Sequence, residues 1–177
     1  MQKNHLKQLI LSAFFLALGI VLPFLTMQIK EIGDTLLPMH LPVLLCGAIC
    51  GWKYGFAIGL ILPPFRSLLF GMPPLYPNAV WMAVELSVYG LVFGLLCRRL
   101  GKKHIGLLYA SLLSAMLAGR IAWGITKGIL LGIGGKTFPV SAFIAGGFVD
   151  ALPGILLQLV LIPFILKITE KLNKQGE

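Results

Sequence analysis

The chain has 177 residues, of which 58% are hydrophobic and only 12% are charged, and its mean hydropathy is +0.92. A soluble domain of this length cannot bury so much apolar surface. The formal net charge of +9 indicates contact with anionic lipid headgroups rather than with nucleic acid, because a positional bias of basic residues explains most of it. The composition therefore predicts an all-α integral membrane protein.

Apolar runs of membrane length follow one another along the chain. A spanning helix needs about 20 mostly apolar residues. Six runs meet or approach this length, at residues 6–27, 36–52, 54–72, 78–97, 105–133 and 140–166. The second is the shortest, and Pro38 and Pro42 cluster at its start, so its outer end is predicted to be irregular backbone that faces a cavity. We predict a single domain over residues 1–177 that forms a six-transmembrane-helix bundle.

Basic residues set the predicted orientation, because Lys and Arg collect on the cytoplasmic side of membrane proteins. One set of span ends carries ten of them, whereas the other set carries only Lys30 and Lys136. The ten are Lys3, Lys7, Lys53, Arg98, Arg99, Lys102, Lys103, Lys167, Lys171 and Lys174. Both termini are therefore predicted to be cytoplasmic in a multi-pass protein of the cell membrane.

Five ionisable residues interrupt the apolar runs: Arg66, Glu85, Arg120, Lys127 and Asp150. A charge at bilayer depth costs from about 2.5 kcal/mol upward, so it needs a partner, a water-filled cavity or a ligand. One interpretation is internal pairing, of Glu85 with Arg120 and of Asp150 with Lys127, that only holds the helices together. The other is an outward-facing binding cavity. Because three cations face two anions, an anionic small molecule is favoured over a cationic one.

Polar and aromatic residues recur on single helical faces. Arg120, Trp123 and Lys127 share one face of the fifth span, since their spacing is i, i+3 and i+7. The fourth span repeats this pattern with Asn78, Trp81 or Met82, Glu85 and Tyr89. These faces are candidates for a substrate-binding site.

Catalytic and metal-binding signatures are absent from the sequence: there is no HExxH, Gly-x-Ser-x-Gly or Walker motif, and the three histidines are widely separated. We therefore predict neither an enzyme nor a resident metal or cofactor, and ATP-driven work would need separate subunits. Cys46 and Cys50 are predicted to be packing residues. His40, between Pro38 and Pro42, either caps an interfacial turn or contacts a ligand.

Small residues indicate close helix contacts. Gly124, Gly128 and Gly132 repeat every four residues in the fifth span, which predicts packing against another helix. Ala13 and Ala17 lie one turn apart in the first span. They predict a flat face on that helix.

Together these features resemble the substrate-binding S components of energy-coupling factor (ECF) vitamin transporters. The resemblance lies in the six spans, the AxxxA spacing of Ala13 and Ala17, the segment at residues 37–47 (LPMHLPVLLCG), and the segment at residues 72–77 (MPPLYP) that leads into residues 82–86 (MAVEL). It covers nearly the whole chain, and the pantothenate branch is the nearest likeness. The riboflavin, folate and hydroxymethylpyrimidine branches share the architecture.

The resemblance implies a protein of the prokaryotic plasma membrane that captures a vitamin or precursor outside the cell and topples to deliver it. A transmembrane T component and two cytosolic ATPase subunits drive this cycle in the family, and Ala13 and Ala17 match the motif that docks the T component. The implied site lies near the outer surface, with residues 28–38 as a gate. By position it contains Asn78, Trp81, Glu85, Arg120, Trp123, Lys127 and Asp150. From their own positions in the sequence, His40 and Arg66 are further candidates to contact the substrate.

Two rival functions stay open at this point. A proton-coupled solute carrier could use Glu85 and Asp150 as its relay, although no inverted repeat is visible. An intramembrane enzyme could use the same carboxylates, but it lacks a recognisable nucleophile or metal set. Transport that depends on ATPase subunits would distinguish the S component from both.

Overall fold

The computed structural model describes residues 2–26, 35–101 and 104–175. These residues form helices and connecting turns, without a strand among them. The helices are α1 (Gln2–Val21), α2 (His40–Cys50), α3 (Trp52–Phe70), α4 (Val80–Leu100), α5 (Ile105–Ile133), α6 (Val140–Ile144) and α7 (Leu152–Gln175). Three shorter helical turns complete them: a 3₁₀ turn at Leu22–Thr26 and π-helical turns at Leu75–Ala79 and Ala145–Val149.

Four helices in the described part of the chain are long and apolar enough to cross a membrane. They cover His5–Phe24, Leu75–Leu100, Ile105–Ile133 and Leu152–Lys171. The short helix α2 has 11 residues, which corresponds to a length of about 16 Å, roughly half of the hydrocarbon core. The helix α3 has 19 residues, with Pro63 and Pro64 inside it, and is not one of the four. The all-helical membrane architecture is confirmed, and the count of six spans stays a prediction.

The fifth predicted span, 105–133, coincides with α5, whereas the sixth is not one continuous helix. The π-helical turn ends where the Asp150 backbone N–H donates to the Ala145 carbonyl at 2.9 Å. Pro153 then lies in the first turn of α7, a position that proline tolerates because its missing N–H would be unsatisfied there anyway. The chain therefore restarts as a new helix near Asp150, and that helix continues to Gln175.

The helices α2, α3 and α4 meet through glycine. A Cβ atom on Gly47 would lie 2.6 Å from the Gly90 carbonyl oxygen, and one on Gly55 would lie 2.6 Å from the Gly47 Cα atom. One turn along α4, a Cβ on Gly94 would lie 2.6 Å from the Trp52 Cα atom. Because no side chain separates these backbones, the three helices pack backbone to backbone.

The two ends of the bundle differ in charge. One end contains the tight turn at Gly51, where φ is 102°, and the end of α4 at Gly101, where φ is 77°. Glycine suits both positions, since left-handed backbone is strained for other residues. Lys53, Arg98 and Arg99 are exposed beside these turns, and we call this the basic end.

The helix α1 covers α2 and α3 with one face. Ser12 and Phe15 on this face are buried, and Gly19 lies directly against the Leu62 side chain of α3. The opposite face of α1 carries exposed apolar side chains, among them Leu6 and Phe14. An apolar exterior of this kind suits lipid rather than water.

Candidate substrate-binding site

Three buried polar side chains from three helices meet in the interior. Arg120 Nη1 on α5 lies 2.9 Å from Glu85 Oε1 on α4, and His40 Nε2 on α2 lies 3.3 Å from the same oxygen. Their exposed fractions are 3% for Arg120, 2% for Glu85 and 1% for His40. The predicted pairing of Glu85 with Arg120 is therefore present. His40 is part of this cluster rather than the cap of an exposed interfacial turn.

Tyr89 forms one wall of the cluster. Its ring lies edge-on to the His40 ring, with the centroids 5.1 Å apart and the planes at 84°. The ring also lies directly against Gly119, where any side chain would overlap it. Glycine at position 119 thus lets α4 and α5 approach, which places Arg120 within reach of Glu85.

The guanidinium of Arg120 has only one of its edges engaged. Within the described part of the chain, its Nε and Nη2 atoms are buried without a hydrogen-bond partner. These two atoms form the side-on edge of the guanidinium, which can bind a carboxylate through two parallel N–H···O bonds. His40 Nδ1 and Gln158 Nε2 on α7 are likewise buried and without a partner. Because buried polar groups normally have partners, this cluster is suited to a ligand that supplies acceptor oxygens.

Aromatic rings continue the site along α5 toward the end opposite the basic end. Lys127 Nζ lies 4.4 Å from the ring centroid of Trp123, 5.3 Å from that of Trp81 and 5.1 Å from that of Phe138. Trp123 also stacks on Phe143, with centroids 6.1 Å apart and planes at 29°. Cation–π contacts of this geometry hold an ammonium group against the rings. The arrangement places aromatic surface one turn beyond the buried ion pair.

Three predicted site residues lie outside these two groups. Asn78 is half-buried in the π-helical turn before Trp81. Asp150 is exposed and forms no ion pair within the described residues, so its predicted pairing with Lys127 is not observed. Arg66 is buried on α3, where its Nη1 donates to the Met72 carbonyl at 3.3 Å and its guanidinium lies 5.8 Å from the Phe24 ring centroid. Most of the predicted gate at residues 28–38, namely residues 28–34, lies outside the described residues.

Phe138 and Phe143 were missed by the sequence reasoning, although the glycine repeat of α5 was a signal for them. A Cβ on Gly124 would overlap the Phe143 ring, and one on Gly128 would lie 3.6 Å from the Phe138 ring. The glycine repeat was predicted to pack against another helix. Gly124 does contact Phe143 of α6, whereas Gly128 faces Phe138 in the loop before α6. A Cβ added at Gly132 would meet no atom of the described residues within 4 Å.

A comparison with known protein families identifies the family of the chain. A family model for the substrate-specific component of ECF transporters matches residues 7–166. The chain belongs to this family. No curated protein and no solved structure matches it. The family is one of transporter substrate-binding components and not of enzymes. With four described helices that are long and apolar enough to cross a membrane, this S component is a multi-pass membrane protein.

Two further features of the S component concern docking and metal binding. Ala13 and Ala17 are both exposed on the outer face of α1, where a membrane partner or lipid can reach them. In the described ranges, no group of three or more His, Cys, Asp or Glu side chains is arranged to hold a metal ion.

Proposed function

We propose that this S component binds a small water-soluble vitamin or vitamin precursor that carries a carboxylate, with pantothenate as the candidate. The observation that supports this most directly is the buried edge of Arg120 formed by Nε and Nη2, which has no partner among the described residues. A carboxylate fits that edge through two charge-assisted hydrogen bonds. Glu85 already engages Nη1, so ligand binding need not break the internal ion pair.

The groups around Arg120 favour a ligand with more than one polar function. Glu85 offers acceptor oxygens, and His40 Nδ1 is buried without a partner among the described residues. Pantothenate carries hydroxyl groups and an amide in addition to its carboxylate. Trp81 and Trp123 supply the apolar surface against which the carbon skeleton would pack, as is usual in small-molecule sites.

We propose further that the basic end of the bundle is cytoplasmic, so that the site lies in the outer half of the membrane. Support comes from the exposed Lys53, Arg98 and Arg99 at that end and from the position of Glu85, which is close to the other end of α4. In this arrangement α2 and α3 complete a six-span bundle, and both termini are cytoplasmic in a prokaryotic plasma membrane.

Transport is proposed to require a T component and two ATPase subunits. Ala13 and Ala17 form the proposed docking face, because small exposed residues one turn apart let a partner helix approach closely. We found no nucleotide-binding motif in the sequence that could drive transport from within this chain.

The test is to identify what the purified protein retains in mild detergent by mass spectrometry, and then to measure uptake of labelled pantothenate. Uptake is measured in cells with and without the T and ATPase subunits. We expect retained pantothenate and uptake that needs all subunits. Retention of another vitamin would refute the choice of pantothenate. Uptake that follows a pH gradient without ATPase subunits would instead favour the proton-coupled carrier.

A further inference from the structure

Over residues 152–171, whose side chains the structure describes, the buried face of α7 carries a single polar side chain. Gly154, Gln158, Ile162 and Leu166 follow one another at intervals of four residues and are all buried. Ile162 and Leu166 belong to the same apolar core as the side chains of α2. Gln158 is 2% exposed, and its Nε2 atom has no hydrogen-bond partner in the described part of the chain.

Gly154 fixes the register of this face against the segment that leads into α2. A Cβ on Gly154 would lie 2.6 Å from the Thr35 carbonyl oxygen and 2.9 Å from the Leu36 carbonyl. Gln158 is four residues farther along α7 from this contact, on the same buried face. The helix α7 packs against both α2 and α5, which carry His40 and Arg120. The carboxamide of Gln158 is therefore buried on the side of α7 that faces these two helices.

We infer that Gln158 is a substrate-binding residue of this S component, whose carboxamide N–H groups donate to a carbonyl or hydroxyl oxygen of the bound vitamin. This inference rests on the function proposed above. Arg120 binds the carboxylate of the vitamin, and Gln158 donates a hydrogen bond to an uncharged oxygen elsewhere on the vitamin. The fourth wall of the site is thus α7, facing the cluster formed by α2, α4 and α5.

The buried amide of Gln158, which has no partner among the described residues, favours a role in ligand binding over a role in packing. An apolar side chain of similar size would fill the same space without a buried donor that lacks a partner, so a packing role gives no advantage to glutamine. A substrate acceptor would satisfy the donor. Removing the amide should therefore weaken binding and leave the ligand-free fold at least as stable as before.

The experiment compares the full-length variants Gln158→Leu and Ile162→Val, purified like the wild type. Ile162→Val alters the same buried face one turn away and is the matched control. Pantothenate affinity is measured by calorimetry, the retained small molecule by mass spectrometry, and the melting temperature without added ligand. We expect Gln158→Leu to bind about tenfold more weakly or worse, with an unchanged or higher ligand-free melting temperature, and Ile162→Val to bind like the wild type.

Wild-type affinity in Gln158→Leu would overturn the inference, as would weaker binding accompanied by a matching loss of ligand-free stability. Should Gln158→Leu fail to fold, Gln158→Met, which is closer in shape, is judged by the same two measurements. If the wild type retains a different molecule and does not bind pantothenate, the vitamin assignment fails and the variants are compared on the retained molecule. A wild type that neither retains nor binds a small molecule overturns both the proposed function and this inference.

Discussion

The two halves of the bundle are held together by different means. Toward the basic end, α2, α3 and α4 touch backbone to backbone at Gly47, Gly55 and Gly90. In the other half, the same α2 and α4 are joined with α5 by charged and polar side chains at Glu85 and Arg120. Close backbone packing leaves no space for a ligand, whereas the polar half contains donors without partners among the described residues.

The helix α4 belongs to both halves, since Glu85 and Gly90 are little more than one turn apart. Because the glycine contacts hold α4 firmly toward the basic end, the Glu85 carboxylate on the same helix is kept in a fixed position. Sites built on rigid elements hold their geometry better than sites on loops. The comparison therefore separates residues that should govern stability from residues that should govern binding.

The largest loss of stability is expected when the buried ion pair of the polar half is broken. Glu85→Leu should reduce the free energy of unfolding by about 3–5 kcal/mol, because Arg120 is left buried without its counter-charge. The double variant Glu85→Leu/Arg120→Met should recover most of this loss, since both charges are removed. Unfolding in mixed micelles measures both. A double variant as unstable as the single one would show that the ion pair is not the cause.

The second-largest loss of stability is expected from a substitution in the glycine-packed half. Gly90→Val should lower stability by about 3 kcal/mol, because the added side chain falls on the Gly55 backbone of α3 and overpacking forces the helices apart. Gly132→Ala is the control, since a Cβ there meets no described atom within 4 Å. Equal stability of the two variants would refute the assigned backbone contact.

Binding is tested by a change that preserves charge. Arg120→Lys keeps a cation for Glu85 but removes the two-donor edge, so pantothenate binding should weaken by about 2 kcal/mol. Arg98→Lys, an exposed change at the basic end, should bind normally. Calorimetry on both proteins gives the comparison. Unchanged affinity in Arg120→Lys would remove this arginine from the proposed site.

A smaller effect is expected in the aromatic part of the site. Lys127→Met removes the ammonium from the rings of Trp81, Trp123 and Phe138, which should reduce stability by about 1 kcal/mol. Lys136→Met, exposed between α5 and α6, is the control and should change stability little. Thermal unfolding distinguishes them, and equal melting temperatures would mean that the cation–π contacts contribute nothing measurable.

The smallest effect on folding is expected on the outer face of α1. Ala13→Leu and Ala17→Leu should change stability by less than about 0.5 kcal/mol, because both positions are exposed. Ligand affinity of the isolated protein should persist while ATP-driven uptake falls, since added volume blocks a close helix contact. Uptake at the wild-type level would show that this face docks no partner, and lost binding would indicate core packing.

Much of the site could be predicted from periodicity alone. The spacing of Arg120, Trp123 and Lys127 predicted that they share one face. In the structure Arg120 and Lys127 contact α4, and Lys127 lies over the Trp123 ring. The pairing of Glu85 with Arg120 followed from the cost of a buried charge. Asp150 was predicted to pair with Lys127 from its place in the sixth span, whereas its side chain is exposed and forms no ion pair among the described residues. Gln158 carries no charge, so the pattern of ionisable residues in the apolar spans does not single it out.

The sequence by itself determined the membrane setting, the apolar helices and the extent of α5, because hydropathy and helix length are local properties. Tertiary structure decided which residues meet across helices. His40 joins Glu85, Tyr89 fits against Gly119, and the glycines of α2, α3 and α4 touch, although they are distant in the chain. Rotation and depth of each helix depend on packing against its neighbours. No single segment encodes them, and for that reason only the folded chain shows which donors remain for a ligand.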